Sequence, residues 1–166
     1  MIIKCLIVDD EPLAIRVLAN HIEKIPWLKI VASTTNPFEG LNLLKEKQID
    51  LLFLDIQMPE LSGLEFLASL KKQPAVIFTT AYRQFAADAF DLDGLDYLLK
   101  PIAFPRFVKA LNRYVDRYGK KEDLPIVQDP GAKDRSFFIR NGREMVKVEL
   151  SHILYIESLK DYVQIY

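Results

Sequence analysis

The chain is poor in the residues that build covalent and metal cross-links. Its 166 residues include one cysteine, Cys5, and two histidines, His21 and His152. A single cysteine excludes an internal disulfide and suits a reducing compartment. Neither histidine carries a zinc-binding spacing. Charge of one sign is also lacking: 22 basic and 23 acidic residues leave a formal net charge of −1. The global balance therefore points neither to nucleic acid nor to a membrane surface. No apolar run approaches the ~18 residues of a membrane span, and the N-terminus has no signal-peptide pattern. What is present is 50% hydrophobic and 27% charged, enough for a packed core. The expectation is a soluble, cytoplasmic protein holding one full domain and part of a second.

The chain is organised around Leu51-Leu-Phe-Leu-Asp55-Ile-Gln-Met-Pro-Glu60. An apolar run ends in one carboxylate, and Pro59 follows because a strand cannot continue through a residue without an N–H. The same design recurs. Ile2–Val8 runs into Asp9-Asp10-Glu11-Pro12, Ala75–Thr79 into Thr80-Ala81, and Asp96–Leu99 into Lys100-Pro101. Leu28–Ala32 supplies one more strand. Between the strands lie helical patterns. Pro12 opens a helix to about Lys24 with Ala14, Leu18, Ile22 and Ile25 on one stripe. Asn36-Pro37 opens one to about Lys47, with Phe38, Leu41 and Leu44 expected inward. Ser62-Gly63 opens a third that buries Leu64, Leu67 and Leu70. A weaker pattern covers Gln84–Phe90, and a last helix runs from Phe104 to Tyr118 with Phe107, Val108, Leu111 and Val115 inward. Strands alternating with helices predict an α/β fold, a doubly wound five-stranded parallel sheet with helices on both faces. Ligands of such sheets collect beyond the carboxyl ends of the strands, at the topological switch point.

At those ends stand Asp9, Asp10, Asp55, Thr80 and Lys100. Clustered carboxylates repel unless a cation or proton intervenes. An all-oxygen set with room for water suits Mg²⁺ better than zinc. Lys100 and Thr80 can bind phosphoryl oxygens, which makes Asp55 a nucleophile able to form an acyl phosphate. Each residue alone has a plainer reading: helix-start acids, a turn aspartate, a strand-end hydroxyl, a solvated lysine, a half-buried Tyr97. Their convergence on one rim favours the site. Cys5 reads as a core residue, Trp27 as a packing cap and His21 as a surface residue. Arg106, Lys109, Arg113 and Arg117 read first as a solvated helix face, with a dimer or phosphate contact as the sharper alternative.

Over roughly residues 1–120 the chain resembles a response-regulator receiver domain of two-component signalling. The resemblance rests on Val8-Asp9-Asp10-Glu11-Pro12, Asp55-Ile-Gln-Met-Pro59 with Gly63, Thr80-Ala81 and Tyr97-Leu-Leu-Lys100-Pro101. It implies a flavodoxin-like strand order 2-1-3-4-5. It also implies that Asp55 accepts a phosphoryl group from a sensor histidine kinase. Mg²⁺ would be held by Asp10, Asp55 and the backbone carbonyl of Gln57, with Asp9 acting mainly through water. Thr80 and Tyr97 would be the switch pair, the Lys100–Pro101 bond would be cis, and a homodimer would form on the face of the fourth helix, fifth strand and fifth helix.

Residues 121–134 are polar with Pro and Gly, the composition of a linker. Beyond it, Ser136–Ile139, Met145–Val148, Ile153–Ile156 and Tyr162–Tyr166 are β-rich, with a hairpin signal at Asn141-Gly142. Residues 135–166 resemble the start of a LytTR-type DNA-binding domain, in Ile153-Leu-Tyr-Ile-Glu157 and Asp161-Tyr162-Val163. The resemblance implies a partial, all-β piece of that domain, so DNA binding is expected only of the full-length protein. Two other classes remain. One is a pseudo-receiver that only docks or dimerises. The other is an Mg²⁺-dependent aspartyl-phosphate phosphatase, which would want a second acid where Gln57 stands.

Overall fold

The computed structural model describes residues 2–82 and 94–118 with their side chains, and the strands at 136–141, 144–149, 156–159 and 162–165 by backbone alone. The helix expected over Gln84–Phe90, the linker and Gly142 of the expected turn lie outside the described residues. The chain divides into two compact units, Met1–Val127 and Gln128–Tyr166.

The first unit runs β1 (Ile3–Val8), α1 (Pro12–Ile22), β2 (Leu28–Thr34), α2 (Pro37–Glu46), β3 (Leu51–Asp55), α3 (Gly63–Ala68), β4 (Ala75–Thr80), β5 (Asp96–Leu99) and α4 (Phe104–Tyr118). The strands form one parallel sheet in the order β2-β1-β3-β4-β5. This is the expected flavodoxin-like α/β fold. The chain steps from β1 outward to β2 and then back across to β3, so the switch point lies between β1 and β3, the strands that end at Asp9 and Asp55.

The period-2 alternation of the strands divides the core into two layers. Cys5, Ile7, Phe53, Ile77 and Leu98 pack with Leu18 and Ile22 of α1 and Phe107 and Leu111 of α4. Leu6, Val8, Leu54, Val76 and Phe78 pack with Phe66 and Leu67 of α3. Burial on both faces is why these strands read as continuous apolar runs. Asn36 Oδ1 caps α2 by accepting from the N–H groups of Phe38 and Glu39 at 2.8 and 3.2 Å. Ser62 and Glu65 cap α3 reciprocally. Gly40 sits mid-helix in α2 because a Cβ there would come within 2.9 Å of Val8 Cγ2.

Several sequence expectations shift. Phe38 is 48% exposed, not inward. The inward stripe of α2 runs through Pro37, Gly40, Leu41 and Leu44, and Phe38 is a third of a turn away from it. In α3 Leu67 is buried as expected and Phe66 is equally buried, Leu64 is partly buried, and Leu70, partly buried against the same layer, lies beyond the helix end at Ala68. In α4, Ala110 and Tyr114 are buried and Val115 only partly. His21 is no free surface residue: its Nε2 lies 2.9 Å from the Ile102 carbonyl. Cys5 is a core residue as expected, Trp27, read as a packing cap, is part of the same buried cluster, and burial pushes the Cys5 thiol up to about 12.

In the second unit β6 (Ser136–Asn141) pairs antiparallel with β7 (Glu144–Glu149), and β8 (Ile156–Leu159) with β9 (Tyr162–Ile165). Of the strand expected over Ile153–Ile156, only Ile156 lies among the described residues, where it opens β8. Among the described residues no helix is long and apolar enough to cross a membrane.

Candidate functional site

Parallel pairing brings the carboxyl ends of β1, β3, β4 and β5 to one rim. Asp9 is fully buried and Asp55 is 3% exposed. Asp10 is half-buried and Gln57 exposed. The Lys100 ammonium donates to Asp9 Oδ1 at 3.0 Å, to Asp55 Oδ2 at 3.0 Å and to Glu11 Oε2 at 3.1 Å. An ammonium has three N–H bonds, and each goes to a carboxylate. Asp9 Oδ1 also accepts from the Glu11 N–H at 3.0 Å, and the Gln57 N–H lies 3.4 Å from Asp55 Oδ1. The Lys100–Pro101 bond is cis.

The electrostatics are those of crowded acids. Burial, then the charge of Asp9, raises the Asp55 pKa to about 7 against the opposing pull of Lys100. Burial likewise raises Asp9, with Lys100 again opposing. Burial alone would lower Lys100, but the charges and hydrogen bonds of Asp55 and Asp9 outweigh it and hold the ammonium above its ordinary range. Asp9, Asp10 and Asp55 can each offer a carboxylate oxygen within 4.8 Å of the others. One ammonium facing so many carboxylates leaves the rim short of positive charge. The donors are all oxygen and Asp10 keeps contact with solvent, which fits a hard divalent cation that retains waters, such as Mg²⁺. Beside the rim a cleft of about 490 Å³, lined by Glu11, Leu13, Ala81, Lys100, Pro101 and Ile102, leaves Lys100 reachable from outside.

The two adjacent threonines of β4 point to opposite faces, as strand alternation requires. Thr79 is in register with Asp55, on the same face, and its hydroxyl donates to Asp9 Oδ2 at 3.2 Å. Thr80, on the other face, accepts from the Tyr82 N–H at 3.1 Å. Thr80 is fully buried, and the hydrogen bonds resolved at its hydroxyl go to the backbone of Tyr82. Tyr97 shares its face and packs beside the Phe78 layer.

Sequence reasoning missed Glu11 and Thr79 as members of the site. It also missed a buried ion cluster on β5. Asp96 is 2% exposed and takes Arg106 in a two-pronged pair at 2.8 and 2.6 Å. Arg113 joins it at 2.7 Å. Arg106 also donates to the Tyr97 carbonyl at 2.7 Å, and its guanidinium carbon lies 5.7 Å from the Tyr97 ring centroid. Hydrogen bonding to Asp96 raises the Arg106 pKa. Arg106 and Arg113 therefore do not form a plain solvated face. Their seven-residue spacing, two turns of helix, was the signal that both face one point on β5.

A family model of the response regulator receiver domain matches residues 5–112. The chain belongs to the response regulator receiver family. Its residues 5–112 are the receiver domain of a response regulator of a two-component system, a regulatory module and not an enzyme. Receiver domains bind Mg²⁺ at an acidic cluster of the kind formed here and interact with histidine kinases. The transcriptional regulatory protein BtsR of Escherichia coli K12 is 41% identical over 122 residues, covering 72% of this chain and 51% of that protein. A response regulatory protein of Vibrio cholerae is 36% identical over 128 residues, covering 76% of this chain and 54% of that protein. The chain thus spans about half the length of the curated relatives it matches. Among solved structures, the response regulatory domain of mrkE from Klebsiella pneumoniae superposes with a TM-score of 0.63 at 31% identity, covering 69% of this chain and 97% of that one.

Proposed function

We propose that Asp55 is the phosphoacceptor of this receiver domain and that a sensor histidine kinase is the donor. The observation that carries the reading is the position of the Lys100 ammonium, 3.0 Å from both Asp9 and Asp55 on an acid-rich rim at the switch point. A carboxylate oxygen of Asp55 attacks the phosphorus of a phosphohistidine. The O–P bond forms as the P–N bond breaks, and the imidazole nitrogen leaves with the electron pair. Lys100 holds the ionised Asp55 and then a phosphoryl oxygen. Asp10, Asp55 and the Gln57 carbonyl would hold Mg²⁺, with Asp9 acting through water. The ion supplies neutralisation of the clustered acids and of the incoming phosphoryl charge.

Thr80 then turns from Tyr82 to the phosphoryl group, and Tyr97 rotates into the space it leaves. That change is read on the face of β5 and α4 with the helix expected over Gln84–Phe90, where a second copy docks. Phosphorylation shifts this equilibrium only by its differential affinity for the two states. Residues 121–134 act as a linker and 135–166 as the N-terminal part of a LytTR-type domain, with DNA bound by the full-length protein in the cytoplasm. The antiparallel strand pairs β6–β7 and β8–β9 and a relative named as a transcriptional regulator support that output.

The test is intact-protein mass after incubation with acetyl phosphate and Mg²⁺. The wild type gains a single phosphoryl adduct, which is absent with EDTA and in Asp55→Asn. A folded wild type with no adduct overturns the reading in favour of a docking module.

A further inference from the structure

Thr79 belongs to none of the roles assigned above, yet it touches the centre of the site. We propose that Thr79 is a positioning residue for phosphoryl uptake: its buried hydroxyl orients Asp9 so that the Lys100 ammonium stays shared with Asp55. The inference rests on Asp55 being the phosphoacceptor.

Asp9 is fully buried, so each of its oxygens depends on donors within the protein. Oδ1 has two, the Lys100 ammonium and the Glu11 N–H, both at 3.0 Å. Oδ2 is served by the Thr79 hydroxyl at 3.2 Å. This division fixes the rotation of the carboxylate, with Oδ1 toward Lys100 and Oδ2 toward β4. Lys100 has no N–H to spare, because its three go to Asp9, Glu11 and Asp55. Without the hydroxyl, Oδ2 would be a buried charged oxygen short of a donor. The nearest compensation is for the carboxylate to rotate and draw a larger share of the ammonium. Asp55 faces the same ammonium from the other side and loses what Asp9 gains.

The two threonines thereby divide the work. Thr80 bonds only weakly with its hydroxyl as donor, at 3.5 Å to the Tyr82 carbonyl, and is placed to leave. Thr79 is fully buried, in register with Asp55 and committed to Asp9, and it stays.

The test compares wild type, Thr79→Val and Thr79→Ser in the full chain. Valine keeps the shape and removes the hydroxyl, and serine keeps the hydroxyl and removes the methyl. Two readouts are taken with Mg²⁺ present: the rate of acetyl phosphate labelling, and the affinity for trifluoroberyllate, a phosphoryl mimic whose binding needs no catalysis. Thr79→Val is expected to be slower and weaker by about ten-fold, the change that ~1.4 kcal/mol of a hydrogen bond to a charged group produces. Thr79→Ser is expected within about two-fold of wild type in both, although it loses more packing. A thermal midpoint for each variant separates stability from function. If Thr79→Val matches wild type in both readouts, or if Thr79→Ser is as impaired as Thr79→Val, the positioning role is overturned. A wild type that takes up neither phosphoryl group nor trifluoroberyllate overturns the phosphoacceptor reading, and the role of Thr79 with it.

Discussion

Asp55→Asn should make the protein more stable, and the gain should depend on pH. The Asp55 carboxyl is raised from 3.8 to about 7, by burial first and by the charge of Asp9 second. At ~1.4 kcal/mol per pH unit, such a shift sets an upper bound of ~4 kcal/mol against the ionised form. The penalty is shared with Asp9, and the rim remains in contact with solvent, so roughly half, ~2 kcal/mol, is the expected gain. Asparagine is nearly isosteric and keeps an oxygen to accept from Lys100. The sign of the pH dependence follows from linkage. The folded chain holds this proton more tightly than the unfolded chain, so this group's contribution is full below the ordinary carboxyl pKa. It is lost as pH rises through about 7. The variant has no such proton. Its advantage is therefore complete above neutrality and fades toward about pH 4. The assay is urea unfolding of both proteins in EDTA across this range, read as a shift of midpoint at constant slope. An Asp55→Asn protein that is no more stable than wild type at about pH 8, or whose advantage ignores pH, would refute the claim that these acids oppose one another.

Two further substitutions probe the frame of the site. A Cβ on Gly63 would stand 2.1 Å from the carbonyl oxygen of Asp55 and 3.1 Å from Ile56 Cα, so backbone must move. Gly63→Ala should cost ~2 kcal/mol or more in chemical denaturation and slow acetyl phosphate labelling, and an unchanged variant would show that the β3–α3 turn does not hold Asp55. Asp96→Ala removes the carboxylate that pairs with two guanidinium groups and accepts from the Tyr97 N–H at 2.8 Å. It should cost ~3 kcal/mol, whereas Arg113→Ala, at a side chain 44% exposed, should cost under ~1 kcal/mol. Equal losses in urea midpoints would place the weight of the cluster on Arg113 instead of Arg106.

Much of the fold was legible because its signals are local. Pro12, Asn36-Pro37 and Ser62-Gly63 mark helix starts through backbone chemistry that needs no distant partner. Strands buried on both faces read as unbroken apolar runs. The expectations that failed were those about facing. Phe38 is apolar in sequence, but which side of a short helix meets the sheet depends on the neighbour it packs against. Phe66 is buried in α3 together with the expected Leu67, and its ring packs close to Gly40 of α2, 3.1 Å from where a Cβ would stand.

Which chemical groups end each strand was legible in the chain, and with it the expectation that Asp9, Asp10, Asp55, Thr80 and Lys100 share one rim of a parallel sheet. That follows from strand polarity alone: parallel strands put all their carboxyl ends on the same side. How those groups share their bonds depends on the packing of the whole fold. Register aligned Thr79 with Asp55 and sent its hydroxyl to Asp9. Packing of α4 on β5 turned Arg106 and Arg113 onto Asp96. Burial, a property of the whole fold, lifted the pKa of Asp55 to about 7. Distances, exposure and the division of one ammonium among three carboxylates are set by contacts between residues up to 91 positions apart, and no local pattern in the chain encodes them.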